Sequence, residues 1–299
     1  MKYKMRSLVA VLLCFMFVLV GCSTQNNTSQ GAEEKTEVGR IISTSPSNTE
    51  ILVGLGLTDK IVAVDKYSTD IEGLSADIPQ LELSNPDAET ILALEPDLII
   101  TSEINHVGNA ENPFSILEES GIDVLYIPTS TSIEDIYSEI EKIAEATGTT
   151  AQGEALINGM KEKISAVSEI AKTIPESERK TVYFEISPAP SLFSFGKETF
   201  LNEMIELIGA TNIFGNETGW ISPSEETILK DNPDVILSNV NYIENPIEEI
   251  KGRAGWENLT AVKENQIFMI NTNAASRPSQ NVIIALEEMA QAIYPNYYE

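Results

Sequence analysis

The chain of 299 residues carries 46 acidic side chains against 19 basic ones, a formal charge of −27, with a single histidine and two cysteines. That balance offers no basic stripe to neutralise phosphates, which excludes nucleic acid as a partner, and one imidazole cannot furnish a His-built zinc or manganese site. It also disfavours a protein lying flat on anionic lipid; a solvated acidic surface is enough to explain it.

At the N-terminus, "MKYKMR" supplies three positive charges and "SLVAVLLCFMFVLV" an apolar run too short for a comfortable bilayer span. The run ends in "LVGC", which resembles a bacterial lipobox, so residues 1–21 read as a lipoprotein signal peptide and Cys22 as the acylated (palmitate-bearing) first residue of the mature chain. An ordinary secretory signal is the blander alternative. Each acyl methylene buried in the membrane contributes about 0.8 kcal/mol to such an anchor. The polar stretch after it, residues 22–37, is expected to be a flexible linker. Cys14 leaves with the signal and Cys22 is used by the lipid, so no disulfide is expected.

Beyond residue 38, β-rich runs alternate with helical periodicity. "RIISTS" (40–45), "IVAVD" (61–65), "DLIITS" (97–102) and "DVLYIP" (123–128) read as buried strands, with helices in "TEILVGLGL" and "DAETILAL". In "TAQGEALINGMKEKISAVSEIAKTI", Leu156, Met160, Ile164, Val167, Ile170 and Ile174 fall on one stripe, which predicts one long amphipathic helix over 151–174, ended by Pro175. The same grammar then starts again with "TVYFEISP" (181–188), "FLNEMIELIGATNIF", "SEETILKDNPDVILSN", a strand in "QIFMIN" (266–271) and a closing helix in "RPSQNVIIALEEMAQAIY".

One phrase recurs almost verbatim: "ETILALEPDLII" at 89–100 and "ETILKDNPDVIL" at 226–237. The separation is far too long for a solenoid, whose units run about 20–50 residues. A single pair of copies points to two similar α/β lobes, residues 38–147 and 177–299, joined by a linking helix within 148–176. The gap between such lobes, faced by strand C-terminal ends, is a common ligand site.

No nucleophile elbow, P-loop, dinucleotide fingerprint or zinc-protease motif occurs, and acidic pairs mean little where 46 acids are present, so an enzyme is not expected. The loops after the strands look instead like a binding surface. They offer Ser45, Lys66, Tyr67, Asn105 and His106 in the first half, and Phe193, Phe195, Trp220, Tyr242 and Arg277 in the second. Aromatics with a few polar anchors suit a bulky, flat ligand, although core packing competes for each of them.

Together with "RIISTSPSNTEILVGLGLTDKIVAVD", "WENLTAVKENQIFMI" and "RPSQNVIIALEEMAQAIYP", these phrases make the chain resemble the substrate-binding proteins of ABC importers for iron complexes and vitamin B12. The resemblance runs from about Arg40 to Pro295. It implies an α/β fold of two lobes, each with a central, mainly parallel sheet, one long helix between them and the ligand in the cleft. It also implies capture and delivery without bond making, a lipid-anchored monomer outside the cytoplasmic membrane (a Gram-positive surface rather than a periplasm), and a partner permease dimer driven by an ATPase. In this family a glutamate on each lobe docks on permease arginines, and Glu89 and Glu226 occupy the matching positions. The rigid linking helix implies only modest lobe closure. No cofactor is expected; the ligand stays open between cobalamin, a ferric siderophore and heme. Heme would call for His106 or Tyr67 as an axial ligand. A sensor or adhesin on the same fold is the alternative of a different class.

Overall fold

A computed structural model describes residues 38–82, 87–103 and 114–298. The signal peptide, the linker with Cys22, Asn105 and His106 lie outside the described residues. Strand β1 (Ile41–Ser43) is fully buried and runs through Thr44 to Ser45. The Ser45 hydroxyl accepts from the Asn48 amide at 3.4 Å and so caps helix α1 (Pro46–Gly54). Pro46 fits the first turn, where its missing N–H would have no partner anyway. There follow β2 (Ile61–Asp65), β3 (Gln80–Leu81), α2 (Ala88–Ala93), β4 (Leu98–Ser102), α3 (Ser115–Glu119) and β5 (Asp123–Ile127). These strands form a five-stranded parallel sheet in the order β3-β2-β1-β4-β5. Chain order reverses between β1 and β4, the place where open α/β sheets take their ligands.

The next helix, α4 (Ile133–Thr147), has no counterpart in the sequence reading. Its start is a capping box: Ser132 accepts from the Asp135 amide while Asp135 accepts from the Ser132 amide. Ile133, Ile136, Ile140 and Ile143 bury one face, and Gly148 ends the helix at φ 72°, a left-handed position that costs glycine nothing. Helix α5 (Thr150–Ala171) is the expected long helix. A Cβ at Gly153 would sit 2.7 Å from the Cβ of Ala144, so this glycine permits the close packing of α4 on α5. The helix stops at Ala171, short of Pro175.

The second half contains β6 (Thr181–Glu185), β7 (Ser194–Phe195), α6 (Phe200–Leu207), β8 (Thr211–Asn212), β9 (Trp220–Ile221), α7 (Glu225–Asp231), β10 (Val235–Ser238), α8 (Pro246–Lys251), α9 (Thr260–Lys263), β11 (Ile267–Met269), α10 (Thr272–Ser276) and α11 (Val282–Ile293). Its four-stranded sheet, β11-β10-β6-β8, is also parallel. Strands β7 and β9 add a small antiparallel ribbon where the sequence suggests only loops.

One apolar cluster passes from Ile41 and Ile140 through Ile157, Met160 and Val167 of α5 to Val182, Met204 and Leu286. Helix α5 therefore shares its core with both sheets. At roughly 1.5–3 kcal/mol for each fully buried large aliphatic, its three large buried side chains, Ile157, Met160 and Val167, make it a stiff strut rather than a loose tether. Among the described residues, no helix is long and apolar enough to cross a membrane.

The repeated phrase has the same geometry in both halves. Asp87 caps α2 and Ser224 caps α7, and the isoleucines Ile91 and Ile228 are buried. Both helices end on a left-handed residue, Glu95 at φ 46° and Asn232 at φ 45°. After the proline, Asp97 accepts from the amides of Gly39 and Arg40, both at 2.8 Å, and Asp234 accepts from the amide and hydroxyl of Thr181, both at 2.8 Å. Each aspartate ties its strand to the first strand of its own sheet.

Candidate functional site

Two adjoining cavities open where the C-terminal ends of the two sheets approach each other. The larger, about 410 Å³, is bounded by Thr129 and Ser130 just beyond β5, Ile186 beyond β6, Asn239 beyond β10, and the aromatic pair Phe193 and Trp220. The smaller, about 150 Å³, lies on the β1 side, against Ser45, Asn48, Ser102 and Glu139; the two share Thr129, Ser130 and Pro278. Most of these positions lie at or just beyond a strand end or at a helix start, which is why a parallel α/β chain gathers them at one edge; Glu139 reaches them from the middle of α4.

Trp220 supplies the aromatic wall. Its ring is stacked on Phe193 at 6.1 Å and 12°, and it stays 47% exposed, leaving much of a large apolar ring open. Phe195 is a correction to the sequence reading. Pairing of β7 with β9 sets it edge-on to Trp220 at 6.2 Å, and it is fully buried against Phe184, so it buttresses the wall instead of touching a ligand.

Arg277 is the second correction. It does not line either cavity. Its guanidinium donates to Glu50 at 3.1 Å, to both oxygens of Asp70 at 2.9 and 3.1 Å, and to the carbonyl of Tyr67 at 3.0 Å. Burial alone would raise the Asp70 pKa, but hydrogen bonds from Arg277 and Asn273 hold it below the ordinary value. Glu50 is buried and also accepts from Ser279 and Asn281. Helix α1 and the turn after β2 are thus latched to the segment between α10 and α11, and the arginine spends its donors there.

The other expected residues divide. Ser45 lines the smaller cavity, and Phe193 and Trp220 the larger. Lys66, Tyr67 and Tyr242 are exposed and border neither; Lys66 sits 5.1 Å from the Tyr67 ring and 3.5 Å from Glu82, and the Tyr242 hydroxyl reaches Ser187 at 3.4 Å. Tyr67 stands away from the cavities, and His106 lies outside the described residues.

Two residues that the sequence reading passed over stand out here. Glu139, on α4, is 3% exposed and accepts from the Ser130 hydroxyl at 2.5 Å through Oε1; its Oε2 has no partner among the described residues. Burial pushes its pKa up to about 7, only partly offset by the Ser130 hydrogen bond. Asn239, 5% exposed, donates to Ser276 at 3.0 Å, while its Oδ1 is likewise unpartnered. Among the described residues, Glu139 is the only ionisable side chain bounding either cavity.

Glu89 and Glu226 are exposed in the first turns of α2 and α7, and neither carboxylate has a partner among the described residues. The neighbouring Glu225 differs, because it accepts from the indole of Trp256 at 2.9 Å.

Two parallel α/β sheets, one shared helical strut and an aromatic-walled cavity at facing strand ends define a two-lobed solute-binding protein. The Periplasmic binding protein family matches residues 41–274, and the chain belongs to it. It is 31% identical to an uncharacterized ABC transporter substrate-binding lipoprotein, YvrC, of Bacillus subtilis strain 168, with 99% of each chain covered. It is 25% identical to a vitamin B12-binding protein of Vibrio parahaemolyticus, over 85% of this chain and 89% of that one. The crystal structure of a possible iron-binding (periplasmic solute-binding) protein from Staphylococcus epidermidis superimposes with a TM-score of 0.75 at 30% identity, covering 86% of this chain and 99% of the other.

Proposed function

We propose that this protein is the extracytoplasmic substrate-binding component of an ABC importer, and that it captures a metal complex, an iron(III) chelate or a corrinoid, in the cavity beside Trp220. The exposed, stacked indole bounding a largely apolar cavity carries the reading, since a flat conjugated ligand can complete the stack. The names of its relatives, an ABC transporter lipoprotein and a vitamin B12-binding protein, support the same class. The protein binds and hands over its ligand without breaking bonds, and the permease dimer and its ATPase do the work of transport. Glu89 and Glu226 are the docking carboxylates, each able to take a bidentate arginine. Cys22 carries the lipid that holds a monomer at the cell surface; the lipobox-like "LVGC" and the lipoprotein name of the Bacillus relative support this. The test is the visible absorption spectrum of protein purified from its native membrane. Corrinoid or ferric-chelate bands that appear with the protein and vanish in a Trp220→Ala variant are expected; protein that neither carries nor takes up any metal complex would refute the reading.

A further inference from the structure

Glu185, Arg253 and Trp256 are buried side chains that neither cavity uses. Glu185 ends β6, and its carboxylate accepts from Arg253 at 2.6 and 2.9 Å and from the Tyr183 hydroxyl at 3.3 Å. Arg253, just beyond α8, also donates to Glu249 and lies 4.4 Å from the centre of the Trp256 ring. The Trp256 indole in turn donates at 2.9 Å to Glu225, in the first turn of α7. A buried ion pair is weak evidence for stability, because well-packed apolar residues of similar volume often serve as well or better. This one invites a second role.

Both ends of the chain of contacts lead to functional positions. Ile186, the residue after Glu185, bounds the larger cavity; its amide donates at 2.9 Å to the carbonyl of Phe193, whose ring stacks on Trp220. Glu225 is the immediate neighbour of Glu226. Trp220 and Glu226 are also joined directly, by a stretch of backbone that spans at most about 22 Å. Pairing of β9 with β7 fixes one end of that stretch, and the Ser224 cap fixes the other. The first copy of the repeat is built differently: Ala88 stands where the second has Glu225, so α2 has no polar side chain there to anchor.

We propose that Trp256 is a positioning residue for docking: through Glu225 it fixes the first turn of α7 relative to the aromatic wall, and thereby the direction in which Glu226 is offered to the permease. This rests on the docking role given to Glu226 above. Arg253 and Glu185 hold the indole in place. A carboxylate that is already oriented loses less freedom when an arginine closes on it, so the contact favours docking without touching the permease. The docking point of the second lobe is thus built onto the ligand wall, whereas Glu89 stands on a helix without such a tie.

The experiment reconstitutes the intact protein with its importer in liposomes and reads ATPase rate against protein concentration. Trp256→Phe keeps a ring against Arg253 but removes the N–H, Glu225→Ala removes the acceptor at an exposed position, and Glu225→Gln removes the charge while keeping an oxygen to accept. The first two are expected to raise the half-maximal concentration roughly threefold to tenfold at an unchanged maximal rate, and in combination to do no more than either alone. Glu225→Gln is expected to behave as the wild type. A Glu225→Gln defect as large as that of Glu225→Ala would make Glu225 a direct contact and overturn the positioning role, as would normal behaviour of both Trp256→Phe and Glu225→Ala. Glu226→Ala separates the two readings. A normal half-maximal concentration there overturns the docking role and this proposal with it; a defect there beside normal positioning variants overturns the proposal alone. The tie to the wall is read by fluorine NMR of the intact protein labelled with fluorotryptophan, whose two resonances belong to Trp220 and Trp256. Glu225→Ala should move both, and a shift confined to Trp256 would refute the tie.

Discussion

Replacing Glu139 by glutamine isolates the energetic consequence of burying that carboxyl. Burial is the dominant cause of its raised pKa; Asp135 nearby adds to it, while Ser130 and Lys142 pull the other way. A group that holds its proton to about pH 7 in the fold but releases it near 4.5 when unfolded contributes stability that is fully present below the lower value. That contribution is lost as pH rises through the folded pKa. The interval corresponds to about 3 kcal/mol at most, since one pKa unit is about 1.36 kcal/mol. Glutamine keeps the shape and carries no charge, so the variant lacks this dependence, and every other titrating group cancels in the difference between the two proteins. Urea unfolding at pH 5, 6, 7 and 8 should show the variant gaining on the wild type by up to about 3 kcal/mol between the ends of the series, with most of the gain below pH 7. A stability difference that stays constant with pH would refute the placement of Glu139 in a dry pocket.

Other expectations follow from the same geometry. Trp220→Ala should leave the melting temperature nearly unchanged, because the ring is half exposed, while weakening ligand binding by roughly tenfold or more in a fluorescence-free assay such as calorimetry. Glu89→Ala combined with Glu226→Ala should preserve ligand affinity and stability but abolish ligand-stimulated ATPase activity of the reconstituted transporter; full stimulation would count against docking there. Asp234→Ala should cost about 3 kcal/mol in chemical denaturation, because two charge-assisted hydrogen bonds to Thr181 are lost. Arg277→Ala should destabilise by a similar ~3 kcal/mol, since Glu50 stays buried without its counter-ion, and should speed amide exchange in α1 and α10 while α5 stays protected.

Much of the architecture was legible because parallel strands buried on both faces read as apolar runs: 61–65 coincides with β2, and the long helix at 151–174 with Thr150–Ala171. Helix α4 escaped, although Ser132 and Asp135 spell a capping box and Ile133, Ile136, Ile140 and Ile143 keep helical spacing. That omission hid Glu139, which in a chain of 46 acids looks like one more solvated side chain. Nothing local marks it as buried; its pocket is made by Ser130 and by the distant Pro278. Arg277 misled for a similar reason. Its partner Glu50 lies 227 residues earlier, and only the packing of α1 against the start of α11 reveals that its donors are already committed. With Phe195, the loop reading gave neighbouring aromatics equal exposure, and the ribbon with β9 separated a wall from its backing.

The twin "ETIL" phrases now divide into positions the fold explains and positions it does not. The isoleucines are buried, the residues before the prolines adopt the left-handed turn that ends each helix, and the aspartates stitch strands together. Threonine serves the helix start in both copies, with Thr90 donating to Asp87 and the Thr227 hydroxyl paired with that of Ser224 at 2.9 Å. Folding therefore accounts for the shared threonine, isoleucines and aspartate, but not for the glutamate, nor for the leucine, which is 38% exposed in the first copy. A first-turn acid is worth about 0.3–1 kcal/mol through the helix dipole, yet α7 already has Glu225 in that turn, anchored by Trp256, and gains little from a second. An exposed carboxylate with no internal partner, kept in register at the start of both helices, is what a two-fold arrangement of arginines on a dimeric permease would read. The repeat thus serves stability through its isoleucine and aspartate positions and leaves its first residue available for the proposed docking.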